Sequence, residues 1–334
     1  MEEERKVIPL CLANGRLNPE ATKWMSYPFV NCNLYGWGRR KKWIFWGIMS
    51  RQGTLGVTIA DLDYLKLGGI YFANFNNNYS EELGKIAFTS KSISIPDFPL
   101  ESARFSNPDL NIDIRAEESK ISLDIDGEIK KKHIHGSFAI HLGKLHPTLN
   151  VVVPWSRKRF QFTSKQLPYL ANGYININNV ELNFTENTCF ACLDYGAGKW
   201  KYRTNWNWLA GSTLEKSIEE RIGINLGGKW TDNTGQNENG IWEGNKFTKI
   251  SEDVTFIWNR QNPEKKWLVR SKNSDNIELT LEPTHVRKSK INLILLKSEV
   301  VQVFGEIKGE IKVNKDIITI DSMIGWAEEH CALW

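Results

Sequence analysis

No stretch of the 334-residue chain approaches the roughly 18 uninterrupted apolar residues that a spanning helix needs, so no transmembrane segment is predicted. Charge of one sign is missing as well. The 43 basic and 39 acidic residues leave a formal charge of +4 with no dominant basic block, which argues against nucleic acid as a partner. Cysteine is sparse and odd in number: Cys11, Cys32, Cys189, Cys192 and Cys331 are scattered, a pattern that suits reduced thiols better than a disulfide framework. Cys189-x-x-Cys192 is the one tight pair, and neither a second pair for zinc nor a βαβ setting for a redox motif accompanies it, so no metal is expected. The opening Met1-Glu2-Glu3-Glu4-Arg5-Lys6 is too acidic for a secretory leader and has no apolar core behind it, so the expected compartment is the cytoplasm. Methionine is scarce, at 4 residues. Tryptophan, at 14, is not.

Helical periodicity is also scarce, whereas short alternating runs separated by Gly, Asn and Asp recur from end to end, which predicts an all-β protein of barrels or sandwiches. Ile121, Leu123 and Ile125 alternate into Asp126-Gly127, whose residues suit the positive φ angles of a type I′ hairpin turn. A second hairpin is expected from Tyr174–Ile177 through Asn178-Asn179 into Val180, Leu182 and Phe184. Pro147, Pro154, Pro168 and the polar Ser156-Arg157-Lys158-Arg159 interrupt the pattern and place a domain boundary near 155–172, giving domains 1–160 and 161–334. Across that boundary runs a faint repeat: Trp43–Trp46 followed by Gly56–Ile59 parallels Trp206–Trp208 followed by Gly223–Leu226.

The densest polar-aromatic stretch runs from Asp194 to Trp208. If extended, it places Trp200, Tyr202, Thr204, Trp206 and Trp208 on one face and Lys201, Arg203, Asn205 and Asn207 on the other: a stacking wall backed by a hydrogen-bonding row. Asparagine is poor in strands and costly when buried alone, so the pair flanking Trp206 points to a polar ligand or a buried network. Downstream, Gly227-Gly228-Lys229-Trp230 permits close backbone approach, and the loop after it carries Asp232 and Glu238, candidate general acids beside a lysine and an indole. That loop lacks the spacer and the Ser/Thr of a phosphate loop. The C-terminal Gly325–Trp334 holds Trp326, Glu328, Glu329 and His330, too rich for a frayed tail; Glu328 and His330 should share one side of a strand, so that a carboxylate orients the imidazole. The four basic residues Arg39–Lys42, between Trp37 and Trp43, read as a hairpin turn with solvated charges, with an anionic partner as the alternative. His133 and His135 read as surface, and His141, His146 and His285 as structural.

Five segments together resemble the family known as domain of unknown function 2804: Asn150–Ser156, Arg159–Lys165, residues 202–208, the Asn225–Glu238 loop and Gly325–His330. Leu209–Thr213 departs from its pattern. The resemblance implies two lipocalin-like (calycin-like) antiparallel barrels or sandwiches in tandem, similar to the two-domain group that includes carotenoid hydratases and some fungal pericyclases. It supplies no catalytic residue, and fold analogy does not transfer a reaction.

Three functions are compatible with these residues. The first is a cofactor-independent acid–base enzyme acting on a largely apolar small molecule held between the modules. Asp194, Asp232, Glu238, Glu328 or His330 would move a proton, while tryptophans including Trp206, Trp208, Trp230 and Trp326 would stabilise positive charge. Tyr202 would line the cavity, Arg203 and Lys229 would bind a polar substrate end, and Asn205 and Asn207 would orient it. The second is a binding protein that sequesters an apolar ligand. The third is a carbohydrate-active protein with stacked rings and paired carboxylates.

Overall fold

In the computed structural model, residues 6–143, 146–214, 217–292 and 297–334 are described, and among them the only helical pieces are three single-turn 3-10 segments. No helix among them is long and apolar enough to cross a membrane. The chain forms two compact units, Met1–Trp200 and Lys201–Trp334.

Each unit is a curled antiparallel meander in which the first long strand ends up beside the last. In the first unit Arg40–Ser50 lies between Gly53–Asp61 and Cys189–Lys199. In the second, Arg203–Ser212 lies between Ile222–Gly228 and Asp316–Leu333. Bringing chain-distant first and last strands together is how an up-and-down lipocalin-like barrel limits its exposed edges. Both halves of the faint repeat lie on such neighbouring strands, but its glycines take different partners: Gly56 opposes Gly47, and Gly223 opposes Ser212.

Alternation builds the cores. One face of the first sheet contributes Ile44, Trp46, Ile48, Phe162, Leu193 and Tyr195; the second unit contributes Leu209, Leu226, Trp267, Val303 and Ala327. A sheet with one wet face would alternate buried and exposed residues, yet every residue from Met323 to Glu329 is buried, so both faces are covered along that stretch.

Several expectations are corrected. The first hairpin exists, but Lys120–Ile129 continues straight through Asp126-Gly127 and reverses at Lys130-Lys131, both at positive φ. Gly127 serves a close approach instead: a Cβ there would stand 3.0 Å from the Cα of Leu110 on the adjoining strand. The second hairpin turns at Asn178-Asn179 as read, with Ile177 opposite Val180. The polar interruption at 156–159 is the turn of a hairpin inside the first unit, since Leu149–Ser156 pairs with Arg159–Ile177, and the boundary between units falls at 200/201. Pro168 sits where the Arg159–Ile177 register slips against Cys189–Lys199, a site where a missing N–H costs little.

Each member of the basic run has a protein partner, although only Lys41 is fully buried and the Arg40 side chain is 39% exposed. Arg39 donates to the Trp200 carbonyl, Arg40 pairs with Asp63, Lys42 pairs with Asp97, and the fully buried Lys41 ammonium donates to the Leu62 carbonyl at 2.8 Å. Burial, helped by Arg39, lowers the Lys41 pKa to about 8. Cys189 and Cys192 are three residues apart on one strand and therefore point to opposite faces, which no shared metal or disulfide can bridge. Four of the five thiols are buried and Cys331 is exposed. Native protein treated with a disulfide reagent should accordingly titrate one thiol rapidly, and all five only after denaturation; rapid reaction of Cys189 or Cys192 would contradict this placement.

Candidate functional site

The site in the second unit is built on one face of four adjoining strands. Across them, Trp208 stands opposite Glu328 and Gly227, while Gln302 stands on the far side of Glu328. Side chains paired in register point the same way, so Trp206, Trp208, Trp326, Glu328, His330 and Gln302 share this face. Two buried carboxylates sit among the rings. Glu328 Oε1 accepts the Trp206 indole N–H at 2.9 Å, and its Oε2 accepts from Gln302 Nε2 at 3.0 Å. Glu238 Oε1 accepts the Trp230 indole N–H at 2.8 Å and occupies the space left by the missing side chain of Gly227. Between the two, Trp208 donates to Asn225 at 2.7 Å, Asn225 donates to the Glu238 carbonyl at 2.6 Å, and Trp326 meets Trp208 edge-on at 5.3 Å. Glu328 and Gly227 are two strand spacings apart, roughly 10 Å between Cα atoms.

His330 shares the side of Glu328, as the alternation predicted, but it does not share a proton with it. Its Nε2 meets Ser298 Oγ at 2.7 Å, and its ring lies 4.1 Å from Trp206, which itself stacks on Trp334. Burial, reinforced by the Arg287 charge, depresses the imidazole pKa to about 3, so His330 is neutral at physiological pH.

The opposite face carries a different device. Glu329, beside Asn207 in register, accepts from Lys229 Nζ at 2.7 Å and Trp258 Nε1 at 3.0 Å, and pairs with Arg260. Burial opposes ionisation of Glu329, yet the Lys229 and Trp258 hydrogen bonds and the two nearby cations outweigh it and hold the carboxyl below its ordinary value. Trp258 in turn stacks at 4.3 Å on the core residue Trp267, so Glu329 fastens the loop after Val254–Ile257 to the sheet.

The remaining candidates disperse. Asp232 is a turn residue: Oδ1 accepts the Lys229 backbone N–H at 3.2 Å and Oδ2 pairs with the half-exposed Lys272 at 3.1 Å. Asp232→Asn should therefore shift stability by less than about 0.5 kcal/mol and leave ligand occupancy unchanged by native mass spectrometry; loss of ligand would restore it to the site. Tyr202 is 58% exposed, and the strand begins only at Arg203, so the continuous wall from Trp200 to Trp208 does not form. Trp200 lies in the first unit, packed on Trp43 and Trp155. Arg203 and Asn205 are exposed and share the Asn207–Glu329 face, away from Glu328. Asp194 belongs to the first unit, where it pairs with Lys165 at 3.1 Å and accepts from Trp43 Nε1 at 3.2 Å. A cavity of about 480 Å³ in that unit, bordered by Tyr35, Arg40, Lys42, Asp61 and Asp97, contains none of the predicted site residues.

Sequence reasoning missed Gln302, Trp258, Arg260 and Lys165. Gln302 had a signal, being the one polar residue in Val300-Val301-Gln302-Val303-Phe304. Trp258 and Arg260 had none, because nothing local couples their loop to Glu329, about 70 residues on. No group of three or more ligating side chains suited to a metal occurs among the described residues.

No curated protein matches the sequence. Among solved structures, CghA determined with Sch210972 aligns over 88% of this chain and 88% of its own, with 12% identity and a TM-score of 0.51. Kievitone hydratase from Nectria haematococca aligns over 88% of each chain, with 10% identity and a TM-score of 0.49. At such identities the likeness concerns the fold. The family described as domain of unknown function (DUF2804) matches residues 1–334, and the chain belongs to that family.

Proposed function

We propose that the protein is an enzyme that uses acid–base chemistry on a largely apolar small molecule, with Glu328 as the proton-transferring group. The observation that carries this reading is the setting of Glu328: a buried carboxylate in mid-strand that accepts from the Trp206 indole and from the Gln302 amide, whose own oxygen accepts from Arg287 at 3.1 Å, beside the paired rings of Trp208 and Trp326. Burying a carboxylate is costly unless hydrogen bonds hold it, and a carboxyl so positioned beside rings can deliver or take a proton as a general acid or base. Proton delivery to an alkene-like carbon would create positive charge that indole faces stabilise, and loss of a proton, addition of water or attack by a second double bond would give isomerisation, hydration or cyclisation. Glu238, on the other side of Trp208, is the second carboxylate available to take or return a proton. The reading calls on no cofactor. CghA was solved with Sch210972, but a shared fold does not carry a reaction across.

Glu328→Gln keeps the shape and the acceptor for Trp206 but cannot give up a proton. Turnover should fall by at least about 100-fold while binding persists. Native mass spectrometry followed by extraction, run on both proteins, should then recover unreacted substrate from the variant and product or nothing from the wild type. Recovery of one unchanged apolar molecule from both would establish sequestration instead, and recovery of a glycan would establish the carbohydrate reading.

A further inference from the structure

The first unit carries a polar site independent of Glu328. Gln161, fully buried on the Arg159–Ile177 strand, accepts the Trp200 indole N–H at 2.5 Å through Oε1. An indole only donates, so this contact fixes which end of the amide is oxygen and sends the NH2 the other way. The glycines beneath agree with that orientation: the amide oxygen lies over Gly198, and a Cβ at Gly196 would collide with the Trp43 ring and stand 2.5 Å from Gln161 Nε2. Gln161 Nε2 is buried and has no hydrogen-bond partner. Native proteins seldom leave two amide hydrogens unsatisfied in this way without a ligand or ordered water to accept them.

The neighbours define what would fit. In register and on the same face are Thr163, Lys165 and Asp194. Asp194 Oδ1 accepts from Lys165 at 3.1 Å and from Thr163 at 3.3 Å, while Oδ2 accepts from Trp43 at 3.2 Å. The Lys165–Asp194 pair brings no net charge, and the buried Lys41, two strands away on the same face, gives its ammonium to the Leu62 carbonyl. The Trp43, Trp200 and Trp155 rings supply an apolar border. Trp43 and Asp194 are partly exposed, whereas Gln161 is fully buried, so a ligand reaches the amide by moving the Trp43 ring.

We infer that Gln161 is the hydrogen-bond donor of a binding site for an uncharged carbonyl oxygen on an apolar molecule, bordered by Trp43, Trp200 and the Lys165–Asp194 pair. The site stands on residues of the first unit and goes beyond the Glu328 reading, so either can fail alone.

The test uses the full chain with glutamine side-chain amides labelled with nitrogen-15, and three probes of similar shape: acetophenone, ethylbenzene and benzoate. The Gln161 NH2 signals, assigned by their loss in Gln161→Met, should shift saturably with acetophenone. Acetophenone should bind at least about 10-fold more tightly than ethylbenzene or benzoate, and Gln161→Met should remove that advantage while leaving ethylbenzene unchanged. NH2 signals unmoved by the ketone would overturn the inference, whether they report a bond to ordered water or to the Trp43 ring. Benzoate as the preferred probe would also overturn it, as the signature of an anion site. If Gln161→Met fails to fold, Gln161→Glu, which keeps the acceptor for Trp200 and removes the donor, serves in its place, and the wild-type titration decides by itself.

Discussion

Gly227→Ala is expected to destabilise the second unit by about 3 kcal/mol, far more than a glycine-to-alanine change in a strand ordinarily does. An added Cβ would collide with Glu238 Oε1 and stand 2.5 Å from its Cγ and 2.7 Å from its Cδ. That side chain cannot simply swing aside: it is 1% exposed and its Oε1 is held by the Trp230 indole, so retreat breaks a buried hydrogen bond as well as the packing. Overpacking costs about 1–3 kcal/mol and a buried donor left without its acceptor about 1–3 more, with partial relaxation bringing the sum back toward 3. Gly235→Ala is the control. Its φ of +74° makes alanine strained, but nothing stands within 4 Å of the new methyl, so the loss should stay near 1 kcal/mol. Urea unfolding followed by tryptophan fluorescence compares the two, and equal losses would show that Glu238 is not packed over Gly227.

Acidification should weaken the fold through His330 before the carboxylates titrate. Its imidazole is depressed from an ordinary 6.5 to about 3 by burial and then by the Arg287 charge, so between those values the unfolded chain holds a proton that the folded chain refuses. Stability then falls as pH drops through about 6.5 and stops responding to this group near 3. From pH 7 to pH 5 the full linkage is about 2 kcal/mol, reduced to about 1 because the residue keeps some solvent access. His330→Gln retains a partner for Ser298 without titrating, so its loss of stability over that interval should be smaller than the wild type's by that amount. Glu329 adds a separate, lower limb. Its depressed carboxyl contributes stability above the ordinary glutamate range and loses it as pH falls through the lowered value. Identical wild-type and His330→Gln slopes between pH 7 and pH 5 would contradict the neutral, desolvated imidazole.

Strand alternation made the fold legible because its period survives without tertiary knowledge. Tyr174–Phe184 folds as a hairpin turning at Asn178-Asn179, and Glu328 and Glu329 part to opposite faces as parity requires. What misled were residues whose local meaning changes with their neighbours. Asp126-Gly127 is an ideal turn dipeptide, but Gly127 is needed for the approach of Leu110, and the chain turns at two lysines instead. Arg39–Lys42 reads as solvated because the Trp200 carbonyl, Asp63, Leu62 and Asp97, which satisfy those four side chains, are all remote in sequence. Asp232 and Glu238 look equivalent in one polar loop, yet only the residue that reaches back over Gly227 is buried. The candidate site was half visible: its tryptophans and carboxylates stand out by composition, while Gln302 and the separation of the Asn205–Asn207 row from Glu328 depend on which strands become neighbours.

If Glu328 moves a proton onto or off a carbon of an apolar molecule, isotope exchange with solvent reads it out. The most direct measurement incubates the molecule recovered from the Glu328→Gln protein with wild type in deuterated water and follows its mass and isotope content over time. Conversion is expected with deuterium entering a carbon-bound position, at least about 100-fold faster than with Glu328→Gln. A molecule that stays unconverted and takes up no deuterium in the presence of wild type would contradict it.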